Sequence, residues 1–204
     1  MKKIKLLFLA SILFPFIINA QHDVKVNAIG IFFKNYGVGY EYIINEEMGA
    51  GIDMNIVSGN VSLFSSFDSN VKHSSFSLTP NFKFYFSPDY GADGFYFEGY
   101  LKYKNMSDKN LVYHDGTRDI NYDMGFSGVA LGIATGKKWV TNSGFYFETL
   151  FGFGRFLTKS FSYSDSYVEG KLKENNPSYE STLDFVYSWD LRFHLNVGWR
   201  FGGY

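Results

Sequence analysis

From Leu183 to Phe201 every second residue is apolar: Leu183, Phe185, Tyr187, Trp189, Leu191, Phe193, Leu195, Val197, Trp199 and Phe201. Between them stand Asp184, Val186, Ser188, Asp190, Arg192, His194, Asn196, Gly198 and Arg200, polar or small except for Val186. A repeat of two sustained over nineteen residues belongs to a strand, because a helix repeats about every 3.6 residues. The sheet that takes up this strand must give its two faces different surroundings.

The same alternation recurs upstream, more weakly, and predicts strands at 24–33, 36–44, 48–58, 72–86, 94–104, 123–138, 144–156 and 182–201. The third sets Met48, Ala50, Ile52, Met54 and Ile56 against Gly49, Gly51, Asp53 and Asn55. The fourth sets Phe76, Leu78, Phe82, Phe84 and Phe86 against Ser77, Thr79, Asn81 and Lys83, and Pro80 should mark a bulge or a missing ladder bond. The fifth and seventh both open with GFYFE, at 94–98 and 144–148, an echo explained by two strands under one geometric demand. The sixth carries Gly128, Ala130, Gly132 and Ala134 on one parity, the small residues that a closed barrel needs at crowded inward positions. Connections are expected to be short on one side and longer on the other, with an exceptionally tight first loop at Lys34-Asn35.

The first twenty residues carry Lys2, Lys3 and Lys5, an apolar stretch from Leu6 to Ile18 and the small end Asn19-Ala20, the layout of a secretory signal peptide cleaved after Ala20. That run is too short for a membrane span of roughly 20 residues, and Pro15 interrupts it. The remaining domain, 21–204, holds 16 basic and 20 acidic residues, with no basic clustering of the kind that binds nucleic acid. No cysteine is present, so disulfides, thiolate metal sites and a lipid-modified N-terminal cysteine are excluded. Of 42 aromatic residues, 39 lie in this domain, yet no second apolar run reaches the length of a membrane helix.

These observations point to an all-β fold, an eight-stranded antiparallel up-and-down transmembrane β-barrel, placed in an outer membrane with its apolar wall on lipid. An eight-stranded interior has no room for some thirty bulky apolar groups, so they must face outward. Charged residues of the strands are read onto the opposite wall: Lys25, Glu41, Asp53, Lys83, Glu98, Lys102, Lys104, Glu148, Asp190, Arg192 and Arg200, with none on the apolar one. Trp189 and Trp199 lie ten residues apart on one face. That is about 33 Å of strand, or about 25 Å along the membrane normal at a tilt of roughly 40°, the spacing of two aromatic girdles. Tyr187, Trp189, Trp199 and Phe201 are accordingly expected in the lipid-facing girdle.

The opening VNAIGIFFKNYGVGYEYIINEEMGAGI at 26–52, the tight first loop, the paired GFYFE strands and the ending HLNVGWRF at 194–201 resemble the small, largely uncharacterised outer-membrane β-barrel proteins frequent in Bacteroidota, distant in style from the OmpA and OmpX barrels. The resemblance spans the whole domain and carries no chemistry. It implies recognition by the barrel-assembly machinery through a terminal aromatic residue, Phe201 or Tyr204.

The inward set Glu41, Asp53, Lys83, Glu98, Lys102, Glu148, Asp190, Arg192, His194 and Arg200 is expected to form an interior polar network that plugs the barrel, because charges removed from water must be paired. No metal-ligand spacing joins His22, His73, His114 and His194, and no cofactor motif is present. A nucleophile–base pair could only be His73 with Ser74 or Ser75, at a loop edge without a recognisable acidic orienter among the crowding Ser58, Ser62, Ser65, Ser66 and Ser69. Loop acids such as Asp108, Asp115, Asp119 and Asp123 lack an EF-hand spacing, and with Tyr163, Asp165 and Tyr167 they suit surface contact better than calcium. The expectation is therefore a non-enzymatic, monomeric barrel touching outer-membrane lipid and lipopolysaccharide, serving envelope integrity or surface interaction, with a narrow porin-like pore or a lipid A-modifying enzyme as alternatives.

Overall fold

The computed structural model describes residues 21–59, 71–86, 88–89, 91–175 and 178–202. The signal segment, Ser62, Ser65, Ser66, Ser69 and Tyr204 lie outside them. Eight strands form a closed antiparallel barrel: β1 Gln21–Asn27, β2 Asn35–Asn45, β3 Met48–Gly59, β4 Lys72–Phe86, β5 Gly94–His114, β6 Asp119–Val140, β7 Phe145–Tyr163 and β8 Trp189–Phe201. Each strand pairs with its neighbour in sequence, and β1 closes the ring, with Val24 opposite both Tyr40 of β2 and Trp199 of β8. Closure leaves no sheet edge exposed. Among the described residues no helix is long and apolar enough to cross a membrane.

The start of β1, the end of β8 and the turns β2–β3, β4–β5 and β6–β7 share one end, here the near end. Expected boundaries hold on β3 and β4 and shift elsewhere for local reasons. The first strand stops at Asn27, whose side chain accepts a hydrogen bond from the Gly30 amide at 3.1 Å and starts a short helix, α1, Ala28–Phe32. The connection expected to be two residues long is thus seven, Ala28 to Lys34. β5 and β6 run on together as a hairpin well past 104 and before 123, where polar residues hide the alternation, and turn tightly at Asp115 to Arg118. β7 likewise continues to Tyr163, and the long connection after it holds two helices, α2 Ser166–Asn175 and α3 Tyr179–Val186.

The alternation at 183–187 is a helix end, not a strand. Leu183, Val186 and Tyr187 also satisfy an i, i+3, i+4 repeat, all three are half-buried, and the Tyr187 amide donates to the Leu183 carbonyl at 2.9 Å. Tyr187 is therefore not part of an outward girdle. It turns into the barrel mouth and meets Phe126 at 4.7 Å and Phe161 at 5.3 Å between ring centroids.

Pro80 leaves the register intact and costs ladder pairs: Leu78 stands opposite Tyr103 and Asn81 opposite Tyr100, with Thr79 and Pro80 unpaired to β5. A bulge in β7 has the larger effect. Ala130 faces Phe156 but Val129 faces Thr158, so parity flips after Leu157 and Phe161 turns inward beside Phe126.

Glycines of β6 and β8 make room for the inward tyrosines. A Cβ at Gly132 would run into the Tyr100 ring, one at Gly136 would lie 2.5 Å from the Tyr96 hydroxyl, and one at Gly198 would run into the Tyr146 ring. Gly132→Val is expected to lower barrel stability by about 1–3 kcal/mol through overpacking, read as a lower urea midpoint in detergent.

Candidate functional site: a charge-laddered plug beneath an open vestibule

Alternation on the strands divides the side chains between two walls. Outside lie exposed apolar groups from every strand, among them Val26, Val38, Ile52, Phe82, Phe97, Ile133, Phe151 and Phe193. Trp199 and Trp139 sit at the near end and Trp189 at the far end, Trp189 stacked on Phe153 with centroids 5.1 Å apart. Phe201 is also outward and exposed. Cations share this wall, contrary to the sequence expectation: Lys72 and Lys109 stand opposite each other at the far end, both exposed, and Lys137 and Arg155 lie beside aromatic residues. Lys137 lies 4.7 Å from the Phe95 ring and 5.2 Å from Trp139, and Arg155 lies 5.8 Å from Trp189. Each of these last two is thus tied to a girdle aromatic, where a long cationic side chain reaches the interface.

Inside, buried charges of alternating sign form one continuous chain. Arg200 holds Asp23 at 2.8 Å, and Asp23 holds Lys138 at 2.8 Å. Lys138 reaches Glu41 at 3.0 Å, and Lys83 bridges Glu41 at 2.7 Å to Glu148. Glu148 meets Lys25 at 3.0 Å, Lys25 meets Asp53 at 3.2 Å, and Arg192 joins Asp53 at 3.1 Å to Glu98 at 2.5 Å. The chain contains as many cations as carboxylates, so its net charge is zero and every ion has a partner of opposite sign. Tyrosine rings flank the cations: Tyr96 lies 4.6 Å from Lys83, Tyr85 4.9 Å from Lys138, and Tyr100 4.4 Å from Arg192. Tyr85 also donates to Glu41 at 2.5 Å, and Asn196 to Glu148 at 2.8 Å.

The near end of the lumen is sealed as well. Ile43, Tyr85, Ala92, Tyr96 and Leu150 pack together there, and Arg200 donates to the carbonyls of Gly91 and Ala92, drawing the β4–β5 turn across the opening.

The structure thus brings Glu41, Asp53, Lys83, Glu98, Glu148, Arg192 and Arg200 into one network. It sets Lys102 apart with Asp190, 2.7 Å away, where Tyr100 also donates to Asp190 at 2.9 Å. Two members escape the sequence reading. Asp23 shares the parity of Lys25 but lies one residue before the predicted start of the strand. Lys138 shares the parity of Ala134 and Gly136, in a segment whose small residues blur the two faces.

Above the plug, toward the long connections, lies a vestibule of about 570 Å³. His194 and Arg192 lie at its floor, Lys102, Lys104 and Met106 rise along β5 with His73, Ser75 and Ser77 beside them on β4, and Phe156 and Tyr187 also line it. Burial raises the Tyr187 phenol to about 12, with a smaller push from Asp108, so it stays a neutral hydrogen-bonding group. His73 is not without an acidic orienter: Asp108, opposite it on β5, lies 2.6 Å from its Nδ1. No serine hydrogen-bonds to His73 among the described residues, and Ser74 donates instead to the Ser107 carbonyl on the outer side. His22 pairs with Tyr40 and His114 with Asp119, so the four histidines do not converge. Among the described residues no three potential ligands are grouped as a metal site.

Compared with known protein families, residues 5–200 match the one described as "Protein of unknown function (DUF3575)". The chain belongs to that family. No curated protein matches this DUF3575 chain in sequence. Among solved structures it is similar to Acinetobacter baumannii CarO, at 13% identity and a TM-score of 0.46, over 90% of this chain and 97% of that one. It is also similar to CarO2 of the same organism, at 12% and 0.47 over 90% and 99%, and to a major outer membrane protein from Thermus thermophilus, at 11% and 0.49 over 89% and 99%.

Proposed function

We propose that residues 21–204, after export and removal of residues 1–20, form a non-enzymatic outer-membrane barrel that is closed to solutes and serves envelope integrity or contacts at the cell surface. The observation that carries this reading is the division of the walls. A belt of exposed Phe, Leu, Ile, Val and Trp surrounds an interior plugged by a chain of paired ions. In water such a belt would be an aggregation surface far larger than a soluble monomer tolerates, whereas against lipid tails it is the stable arrangement. Placement of Lys137 and Arg155 beside rim aromatics, away from mid-depth, supports the same reading.

The near end then faces the periplasm, and the vestibule with α2 and α3 faces outward. Lipopolysaccharide would surround the outer rim, and the barrel-assembly machinery would read the β8 terminus around Phe201. The ladder of ion pairs across the lumen favours a sealed barrel over a narrow pore. In planar bilayers the purified barrel is expected to give no steady conductance above background, and an ohmic, reproducible current would establish the pore instead. A deletion strain is expected to gain permeability to bulky antibiotics or to lose surface binding, and a strain unchanged in both would remove the proposed role.

A further inference from the structure

We infer that the vestibule binds a small ligand that carries a carboxylate on an apolar, aromatic-sized body. A cavity of about 570 Å³ falls within the range of roughly 300–1,000 Å³ common to small-molecule sites. Its polar groups are unequally committed. Lys102 is held by Asp190, Arg192 by Glu98 and Asp53, and His73 by Asp108. Lys104, half-buried on the same wall of β5, has no hydrogen bond or ion pair among the described residues. His194 is only 9% exposed, lines the floor of the cavity, and likewise has no hydrogen-bond partner there. Every cation of the plug has a carboxylate within ion-pair distance, whereas Lys104 feels Asp190 and Asp108 only from farther away, so it is the wall cation best placed to take a ligand's anion.

The wall beside Lys104, running from β5 across β6 to β7, sets the rest of the ligand. Met106 and Phe156 line it with Tyr187, and Phe126 and Phe161 pack behind, an aromatic corner created by the β7 bulge and the end of α3. A flat apolar body would stack there while its carboxylate meets Lys104, with His194 able to donate or accept a further hydrogen bond. This site does not depend on which envelope role the barrel serves.

The test uses the full barrel in phosphatidylcholine nanodiscs and calorimetric titration with 3-phenylpropionate, its neutral amide, and inorganic phosphate, each at millimolar concentration. Saturable one-to-one binding of 3-phenylpropionate is expected, with the amide and phosphate at least about tenfold weaker. Lys104→Met should weaken binding by a similar factor, and Lys104→Arg should retain it, which covers the case in which the methionine variant fails to fold. Absence of saturable binding would overturn the inference, as would equal affinity for the amide or equal affinity in a folded Lys104→Met barrel. Phosphate binding as tightly as the aromatic acid would overturn the assignment of the apolar wall.

Discussion

Lys83→Met is expected to be the most damaging single change inside the barrel, lowering stability by about 3–5 kcal/mol. Lys83 is fully buried, bridges Glu41 and Glu148, and stacks near Tyr96. Its removal leaves two carboxylates with one cation fewer between them, in a lumen where water cannot restore the balance. Urea or guanidinium unfolding in detergent, followed by tryptophan fluorescence, measures the loss. Pairing the change with Glu148→Gln should recover part of it, because the second substitution removes one of the uncompensated charges. Equal midpoints for wild type and Lys83→Met would mean that the ladder contributes nothing to holding the barrel closed.

Phe193→Arg is the corresponding test of the outer wall. Phe193 is exposed on β8 between Trp189 and Trp199, near the middle of the belt that those tryptophans bound. In a bilayer an arginine there should cost about 2–4 kcal/mol, whereas at the rims, where Arg155 and Lys137 already lie, it should cost about 0–1 kcal/mol. Folding equilibria measured in phospholipid vesicles give both values. A soluble barrel would respond in the opposite sense, since a charge replacing an exposed phenylalanine in water improves solubility. The depth dependence of the penalty thus separates the two environments.

What is legible in the sequence follows from how strongly each segment is constrained. Where both walls are demanding, as on β3, β4 and the lower part of β8, the two-residue repeat places every side chain on the wall it occupies. Where one wall is water, as on the outer halves of β5, β6 and β7, polar and apolar residues are both tolerated and the repeat fades. Strands predicted from the repeat therefore end too early, and the loops between them come out too long. At Leu183 to Tyr187 the cause is different, because five residues can satisfy two periods at once and only packing decides between them. Tyr187 leaves the predicted girdle for the lumen for that reason. The β7 bulge is invisible, since a single extra residue at Leu157 carries no compositional mark, yet it builds the aromatic side of the vestibule.

The polar plug is legible as a set of residue types but not as a chain. Parity assigns Glu41, Asp53, Lys83, Glu98, Glu148, Arg192 and Arg200 to one wall. Their order of contact depends on strand tilt and stagger, which relate residues of distant strands such as Lys25 and Glu148.

The central claim is that the apolar wall meets lipid, and the three tryptophans report on it without any label. Trp139, Trp189 and Trp199 all face outward near the rims. In vesicles of brominated phosphatidylcholine, bromines placed shallow in the acyl chains should quench their fluorescence strongly, bromines placed deep should quench it less, and aqueous iodide should have little effect. Strong quenching by iodide with none by either brominated lipid would contradict the account.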